Sequence, residues 1–304
     1  MSRVIRIGTR DSELATWQAK QVQTKLKEFG HEAELIFVKS EGDLDLTTPL
    51  TEMGGKGVFT KALDDALLDN RIDIAVHSYK DLPTENPLPL VVSAVMERED
   101  PRDALVAPLG IEFLNDEAAS AVIATSSNRR KAQWLHRYPG HEITNIRGNV
   151  NTRLRKVKEN GWSGAIFAAA GLKRIGLDDN ISVYLDWMVP APAQGAMAVM
   201  IREGDKKMME ITSQLNHEET AMCTGIEREL LNEMEAGCSA PVGAFAEIIE
   251  GNIHLSAIAL KTDGSLQYDI ELSAPIAEAK GLGRKAGQKL LDMGASEIVA
   301  DLRS

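Results

Sequence analysis

The sequence predicts an α/β protein of three domains: two α/β domains, then a small α+β domain with a three-stranded antiparallel sheet. Three observations predict it. Short strand patterns alternate with helical patterns before residue 97, and the alternation restarts near residue 122. Two segments, 97–103 and 189–195, carry prolines and interrupt the alternation as crossovers. From about Glu219 the pattern becomes one long helix, three strand patterns separated by short turns, and a closing helix. A length of 304 residues is enough for two or three domains.

In order, residues 4–8 read as a short buried strand, and the turn Thr9-Arg10-Asp11-Ser12 ends on an N-capping serine. Leu14, Trp17, Val22 and Leu26 then keep a helical spacing that Gly30 stops. Residues 33–38 read as a second strand. Residues 40–57 form a long polar, glycine-containing loop, a candidate lid. Residues 58–68 are helical, with Phe59, Leu63 and Leu67 on one face; 72–77 and 88–95 are strands. Strands alternating with helices imply βαβ units and a mainly parallel sheet.

The charged run 97–103 reads as a solvated loop at the first crossover. Beyond it come a strand at 122–124 and a helix through Tyr138. A strand at 143–146 and a helix through about Asn160 follow, then a strand at 165–170. The second crossover implies a return to the first domain, with a strand at 196–201 and a short helix at 206–215. Strands at 244–249, 253–260 and 268–272 and a helix at 277–293 complete the third domain. The expected boundaries are 1–97 plus 196–216, 98–195, and 217–304.

Composition narrows the function classes. Hydrophobic content of 43% and charged content of 26% are ordinary for a soluble globular chain. Two cysteines argue against a disulfide scaffold, and no apolar run could serve as a signal or span a bilayer, so a cytoplasmic protein is expected. A net charge of −11 argues against nucleic acid as the main partner. His217-Glu218-Glu219 lacks the second histidine of a zinc helix, and no metal site is expected. Gly54-Gly55-Lys56-Gly57 lacks the spacing of a nucleotide phosphate loop.

Basic residues gather at strand-to-helix junctions. Arg10 follows the first strand, Arg129 and Arg130 follow Thr125-Ser126-Ser127, and Arg147 and Arg153 follow the strand at 143–146. Carboxyl ends of parallel strands are where open α/β sheets bind ligands. Cations at helix N-termini oppose the helix dipole unless an anion sits there. Surface arginines packed on apolar neighbours are the plainer reading of any one of them; several at successive junctions favour a polyanionic ligand. The strand at 72–77 runs into His77-Ser78-Tyr79-Lys80-Asp81-Leu82-Pro83, which sets a carboxylate beside a cation; a turn-forming Asp with a surface Lys is the plainer reading. Cys238 lies in Glu235-Ala236-Gly237-Cys238-Ser239-Ala240-Pro241, between a helical pattern and a strand pattern, where a loop can present a thiol. Cys223, inside the helical pattern, reads as packing.

Taken together, several segments resemble the porphobilinogen deaminase (hydroxymethylbilane synthase) family. They are Gly8-Thr9-Arg10-Asp11-Ser12, Gly54-Gly55-Lys56-Gly57-Val58-Phe59, the His77 to Pro83 segment, and Arg98-Glu99-Asp100-Pro101-Arg102-Asp103. Thr125-Ser126-Ser127-Asn128-Arg129-Arg130, Arg147-Gly148-Asn149-Val150-Asn151-Thr152-Arg153-Leu154 and Ala169-Ala170-Gly171-Leu172-Lys173-Arg174 continue the series. Pro190-Ala191-Pro192-Ala193-Gln194-Gly195-Ala196 and the Cys238 loop end it.

The resemblance implies two domains like type II periplasmic binding proteins and a third that carries a dipyrromethane cofactor, thioether-linked to Cys238. It implies a transferase of tetrapyrrole biosynthesis. In the implied reaction four porphobilinogens would be joined head to tail with loss of ammonia, and hydroxymethylbilane would be released by hydrolysis. Asp81 would be catalytic, stabilising positive charge on the pyrrole nitrogen of the azafulvene left when ammonia departs. Lys80, Asp81, Ser127, Arg129 and Arg130 would hold the cofactor, and Arg10, Ser12, Lys56, Arg147, Arg153 and Arg174 the substrate or growing linear polypyrrole. A monomer is expected. The rival reading is a non-catalytic anion-binding module of periplasmic-binding-protein type. The chain departs from the family pattern at Asp11, Glu13 and Tyr79, and at Ala193, where the hinge usually has glycine.

Overall fold

The structure, a computed structural model, describes residues 3–39, 60–84, 89–116, 119–237 and 239–301. The candidate lid at 40–57, Lys56 and Cys238 lie outside the described residues. The chain divides into two compact units, Met1–Glu99 with Gly195–Met222, and Asp100–Gln194 with Cys223–Ser304.

The first unit opens with β1 (Ile5–Thr9), α1 (Glu13–Glu28), β2 (Ala33–Phe37), α2 (Lys61–Leu68), β3 (Ile74–Ser78) and β4 (Leu90–Val95). The second supplies β5 (Asp103–Val106), β6 (Val122–Ala124), α3 (Asn128–Arg137), β7 (Glu142–Thr144), α4 (Val150–Glu159), β8 (Gly164–Ala168), α5 (Ala169–Lys173) and β9 (Val183–Tyr184). The chain returns to the first unit for β10 (Met197–Arg202) and α6 (Lys206–Ser213). Then come α7 (Glu218–Glu233), β11 (Val242–Ile249), β12 (Asn252–Leu260), β13 (Gln267–Pro275), α8 (Leu282–Leu290) and α9 (Ser296–Asp301).

Each α/β sheet has five strands in the same kind of order, β2-β1-β3-β10-β4 in one and β7-β6-β8-β5-β9 in the other. The expectation of mainly parallel sheets needs a correction. In each sheet one inner strand runs against its neighbours: β10 is antiparallel to β3 and β4, and β5 is antiparallel to β8 and β9. Both are the first strand after a crossover. A strand that arrives from the other α/β unit has no crossover helix of its own, so nothing enforces the parallel direction that a βαβ connection imposes.

A second correction concerns 97–103. That run is not simply a solvated loop: Asp103 is fully buried and begins β5, a strand the sequence pattern did not announce, and β9 was likewise missed. The local elements otherwise follow their chemistry. Ser12 caps α1, its side chain accepting the Ala15 N–H at 3.3 Å, and Val22 and Leu26 are buried on one face. The sheet of the first unit packs Ile5, Ile7, Ile74, Val76, Val199 and Ile201 into one core.

The three-stranded sheet is antiparallel throughout, with β12 central. Glu250 and Gly251, both at positive φ (49° and 79°), form the two-residue turn between β11 and β12. Leu230 of α7 and Leu290 of α8 share its core with Ile253 and Leu255. Helix α8 approaches α7 closely because Gly283 and Gly287 face it; a Cβ at Gly287 would stand 2.8 Å from Glu233 Cβ. The predicted closing helix is interrupted by a turn of wider pitch over Leu291–Ala295, with Gly294 at φ 118°. Among the described residues, no helix is long and apolar enough to cross a membrane.

Candidate active site

In the first unit, β1 and β3 are parallel neighbours, so the residues after each emerge at one edge of the sheet. Arg10 follows β1 and is half-buried; Ser12, also half-buried, follows as the α1 cap. Strand β3 passes directly into a 3₁₀ turn, Tyr79–Asp81, which leaves Tyr79 buried, Lys80 half-buried and Asp81 exposed. The turn is short because Pro83 follows; Leu82, the residue before it, is held in the extended region at ψ 138°. The Gln18 side chain reaches from α1 to donate to Ser78 Oγ at 2.7 Å, fastening the helix to the end of β3.

His77, the residue before Ser78, is buried, and its Nε2 makes no hydrogen bond among the described residues. Burial, and then the charge of Arg10, push its pKa down to about 4, so the ring is neutral near pH 7. Asp64 of α2 is a second buried ionisable group in this unit. Burial pushes its carboxyl up to about 6, although Thr60 donates to it, and its Oδ1 is left without a hydrogen bond among the described residues.

In the second unit, β6, β7 and β8 are parallel and likewise deliver their junctions to one edge. Ser126 Oγ donates to the Ile146 carbonyl and accepts its N–H, fastening the β6 junction to the β7 junction. Ser127 caps α3, accepting from the Arg130 N–H at 3.4 Å. Arg147 and Arg153 are half-buried near α4, and Arg153 Nε donates to the Gly148 carbonyl at 2.7 Å. Gly148 sits at φ 113°, and a Cβ there would meet Thr152 Cγ2 at 2.7 Å, so the turn requires glycine. Arg174 follows α5 and is buried.

Arg129 and Arg130 are not the surface arginines of the plainer reading. Both are buried against Asp103. Arg129 Nη1 donates to Asp103 Oδ2 at 2.7 Å and to the Val189 carbonyl at 2.8 Å. Arg130 donates to Asp103 Oδ1 through Nε at 3.0 Å and Nη2 at 2.7 Å, and through Nη1 to the Ile166 carbonyl. Gln194 Nε2 adds a fourth hydrogen bond to Asp103, at 2.9 Å. Arg129 Nε is buried with no hydrogen bond among the described residues.

Asp103 and Gln194 are the residues that sequence reasoning quoted in motifs without giving them a role. For Gln194 the signal was an amide next to a glycine in a crossover; for Asp103 the neighbouring charges hid it. Nearby, Asp100 accepts from Arg102 and Lys173, both of which lie over the Tyr184 ring at 3.9 and 5.2 Å. Arg102 first, and Lys173 after it, hold the Asp100 carboxyl well below the usual range against its partial burial.

Comparison with known proteins shows the family of the chain. Two family models match, described as "Porphobilinogen deaminase, dipyromethane cofactor binding domain" over residues 5–210 and "Porphobilinogen deaminase, C-terminal domain" over residues 221–292. A curated porphobilinogen deaminase of Syntrophotalea carbinolica is 42% identical over 305 residues, covering 99% of this chain and 96% of the relative. Among solved structures, the periplasmic VFT2 domain of Bordetella pertussis BvgS is similar at TM-score 0.40 and 13% identity, covering 72% of this chain and 90% of that one. A periplasmic substrate-binding protein of an ABC transporter from Coxiella burnetii is similar at TM-score 0.43 and 14% identity, covering 70% and 92%. The two family models span most of the chain and the curated relative aligns along nearly all of it: this chain belongs to the porphobilinogen deaminase family.

Proposed function

We infer that this chain is a hydroxymethylbilane synthase, a transferase of tetrapyrrole biosynthesis that condenses four porphobilinogens with loss of ammonia and releases the product by hydrolysis. The single observation that carries this is the family match along the chain. The non-catalytic anion-binding reading is not favoured beside it. We also take the protein to be cytoplasmic and monomeric, with no nucleic-acid partner, and we keep the three-domain boundaries 1–97 plus 196–216, 98–195 and 217–304.

The residues fit a dipyrromethane bearing several carboxylates. Ser127 and Lys80 are half-buried donors at strand ends, and Arg129 Nε is a buried donor with no hydrogen bond among the described residues. Ser127, Lys80, Arg129 and Arg130 would hold its carboxylates, and Cys238 would anchor it through a thioether. When bound, the cofactor supplies the pyrrole carbon to which the first substrate is joined. Arg10, Ser12, Lys56, Arg147, Arg153 and Arg174 would bind the acetate and propionate groups of substrate and chain. Asp81, exposed at the end of β3, would face the substrate's pyrrole nitrogen and stabilise the positive charge that grows there as ammonia leaves. Because the charge grows only in reaction, Asp81 acts on rate more than on affinity.

Replacing Cys238 by serine tests the anchor, because an oxygen is a much poorer nucleophile than a thiolate. Cys238→Ser should fold, show the unmodified mass by intact mass spectrometry, and lose almost all turnover, while Cys223→Ser keeps both modification and activity. Normal turnover in Cys238→Ser would sink the assignment.

A further inference from the structure

We propose that Glu227 is a positioning residue for the Arg129–Arg130 pair, acting through the second crossover; this rests on the reading of those arginines as cofactor ligands. Glu227 lies on the buried face of α7, with Thr224 and Leu230, and is 0% exposed. Its two oxygens serve two segments far apart in the chain. Oε2 accepts the N–H of Ala193 at 2.6 Å, and Oε1 accepts the N–H of Ala246, in β11, at 2.7 Å. A carboxylate accepting from backbone amides makes strong, directional bonds, and both amides would be left as buried unsatisfied donors without it.

Ala193 needs holding. It sits at φ 62°, in the left-handed region that a Cβ disfavours, and it is fully buried. A glycine would occupy that conformation unaided, whereas an alanine relies on its surroundings. The next residue, Gln194, is also fully buried, and its direction follows from the Ala193 backbone. Gln194 Nε2 donates to the Pro101 carbonyl at 2.7 Å and to Asp103 Oδ1 at 2.9 Å. Asp103 in turn orients Arg129 and Arg130. The links run from the Glu227 carboxylate to the Ala193 amide, the Gln194 amide, the Asp103 carboxylate and the two guanidinium groups. Glu227 touches neither arginine, so its effect on them passes through the crossover backbone.

The test uses full-length protein prepared without cofactor and then loaded with porphobilinogen. In Glu227→Gln, hydrogen exchange of the peptide containing Ala193 should rise at least tenfold, and the rate of cofactor loading by intact mass should fall at least fivefold. Adding Ala193→Gly to Glu227→Gln should restore at least threefold of the loading rate, because glycine does not depend on the clamp. Unchanged exchange in Glu227→Gln, or Ala193→Gly altering both backgrounds by the same factor, overturns the proposal. Should Glu227→Gln fail to fold, Gln194→Leu cuts the next link, and wild-type loading in that variant overturns it equally. Failure of the underlying reading looks different: Arg129→Leu and Arg130→Leu would load normally while the exchange result stands.

Discussion

In the second unit, Asp103 is buried with Arg129, Arg130 and Gln194 around it, four hydrogen bonds reaching its two oxygens. In the first, Asp64 is buried at the start of α2 with Thr60 as its donor, and its Oδ1 has no hydrogen bond among the described residues. The sheets beside them share a strand order. Two guanidinium groups bond the first carboxylate in place of the lost water; burial drives the second toward its neutral form, and the Thr60 hydrogen bond only partly offsets it. The comparison teaches that arginines at a strand end are not, as such, donors waiting for an anion. Part of the charge of Arg129 and Arg130 is engaged within the protein by Asp103; in the first unit Arg10 and Lys80 are half-buried and Asp81 is exposed.

The largest expected effect breaks the second unit's side of the comparison. Asp103→Asn leaves two buried guanidinium groups uncompensated and should cost about 3–5 kcal/mol of folding stability, read as a lowered urea midpoint. A midpoint within error of wild type would mean that water reaches the pair and the burial argument is wrong.

Asp81→Asn sharpens the contrast. It should unfold like wild type, since Asp81 is exposed, yet in single turnovers of cofactor-loaded protein it should react about 100–1,000-fold more slowly. Asp81→Glu, which keeps the charge but displaces it, should retain more activity. If Asp81 only shaped the turn before Pro83, asparagine would be nearly silent, because it serves turns as well as aspartate does; near-normal chemistry in Asp81→Asn therefore removes the catalytic role.

The smallest effect belongs to Asp64, and its sign follows from linkage. Its folded pKa of about 6 lies above the ordinary 3.8, so between those values the folded state holds a proton that the unfolded state releases. Stability is lost as pH rises through that window, and the cost is complete above about 6. Asp64→Asn should therefore be more stable than wild type at pH 8, by up to about 3 kcal/mol, with the difference vanishing below pH 4. Thermal unfolding at both pH values reads this directly. His77 contributes with the opposite slope between about 6.5 and 4, since its folded pKa is depressed. The Asp64→Asn difference cancels that background. An equal gain at pH 4 and pH 8 would show that packing, not charge, is responsible.

Much of the fold was legible residue by residue. Ser12 as a cap, Gly30 as a stop and the Glu250-Gly251 turn are local chemistry, and the structure places an element boundary at each. The short strands were harder. In β5 a buried Asp leads only three apolar residues, and β9 is two residues long, so neither has a period to read. The junction arginines were legible as a group because they recur at successive strand ends. Their internal partner was not, because Asp103 lies among other charges in the sequence and nothing adjacent marks it as the one that is buried.

By itself, the sequence determined the α/β class, the two crossovers, the antiparallel third sheet, the family's motifs and the candidate residues, because period, turn chemistry and motif order are written in neighbouring positions. Only the tertiary structure decided that each five-stranded sheet takes one antiparallel strand, that Asp103 pairs with both Arg129 and Arg130, and that Glu227 accepts the N–H of a left-handed Ala193. Those outcomes depend on which groups, distant along the chain, come to share one low-dielectric interior. There the cost of an uncompensated charge or an unmet N–H selects the partner, and no local pattern carries that information.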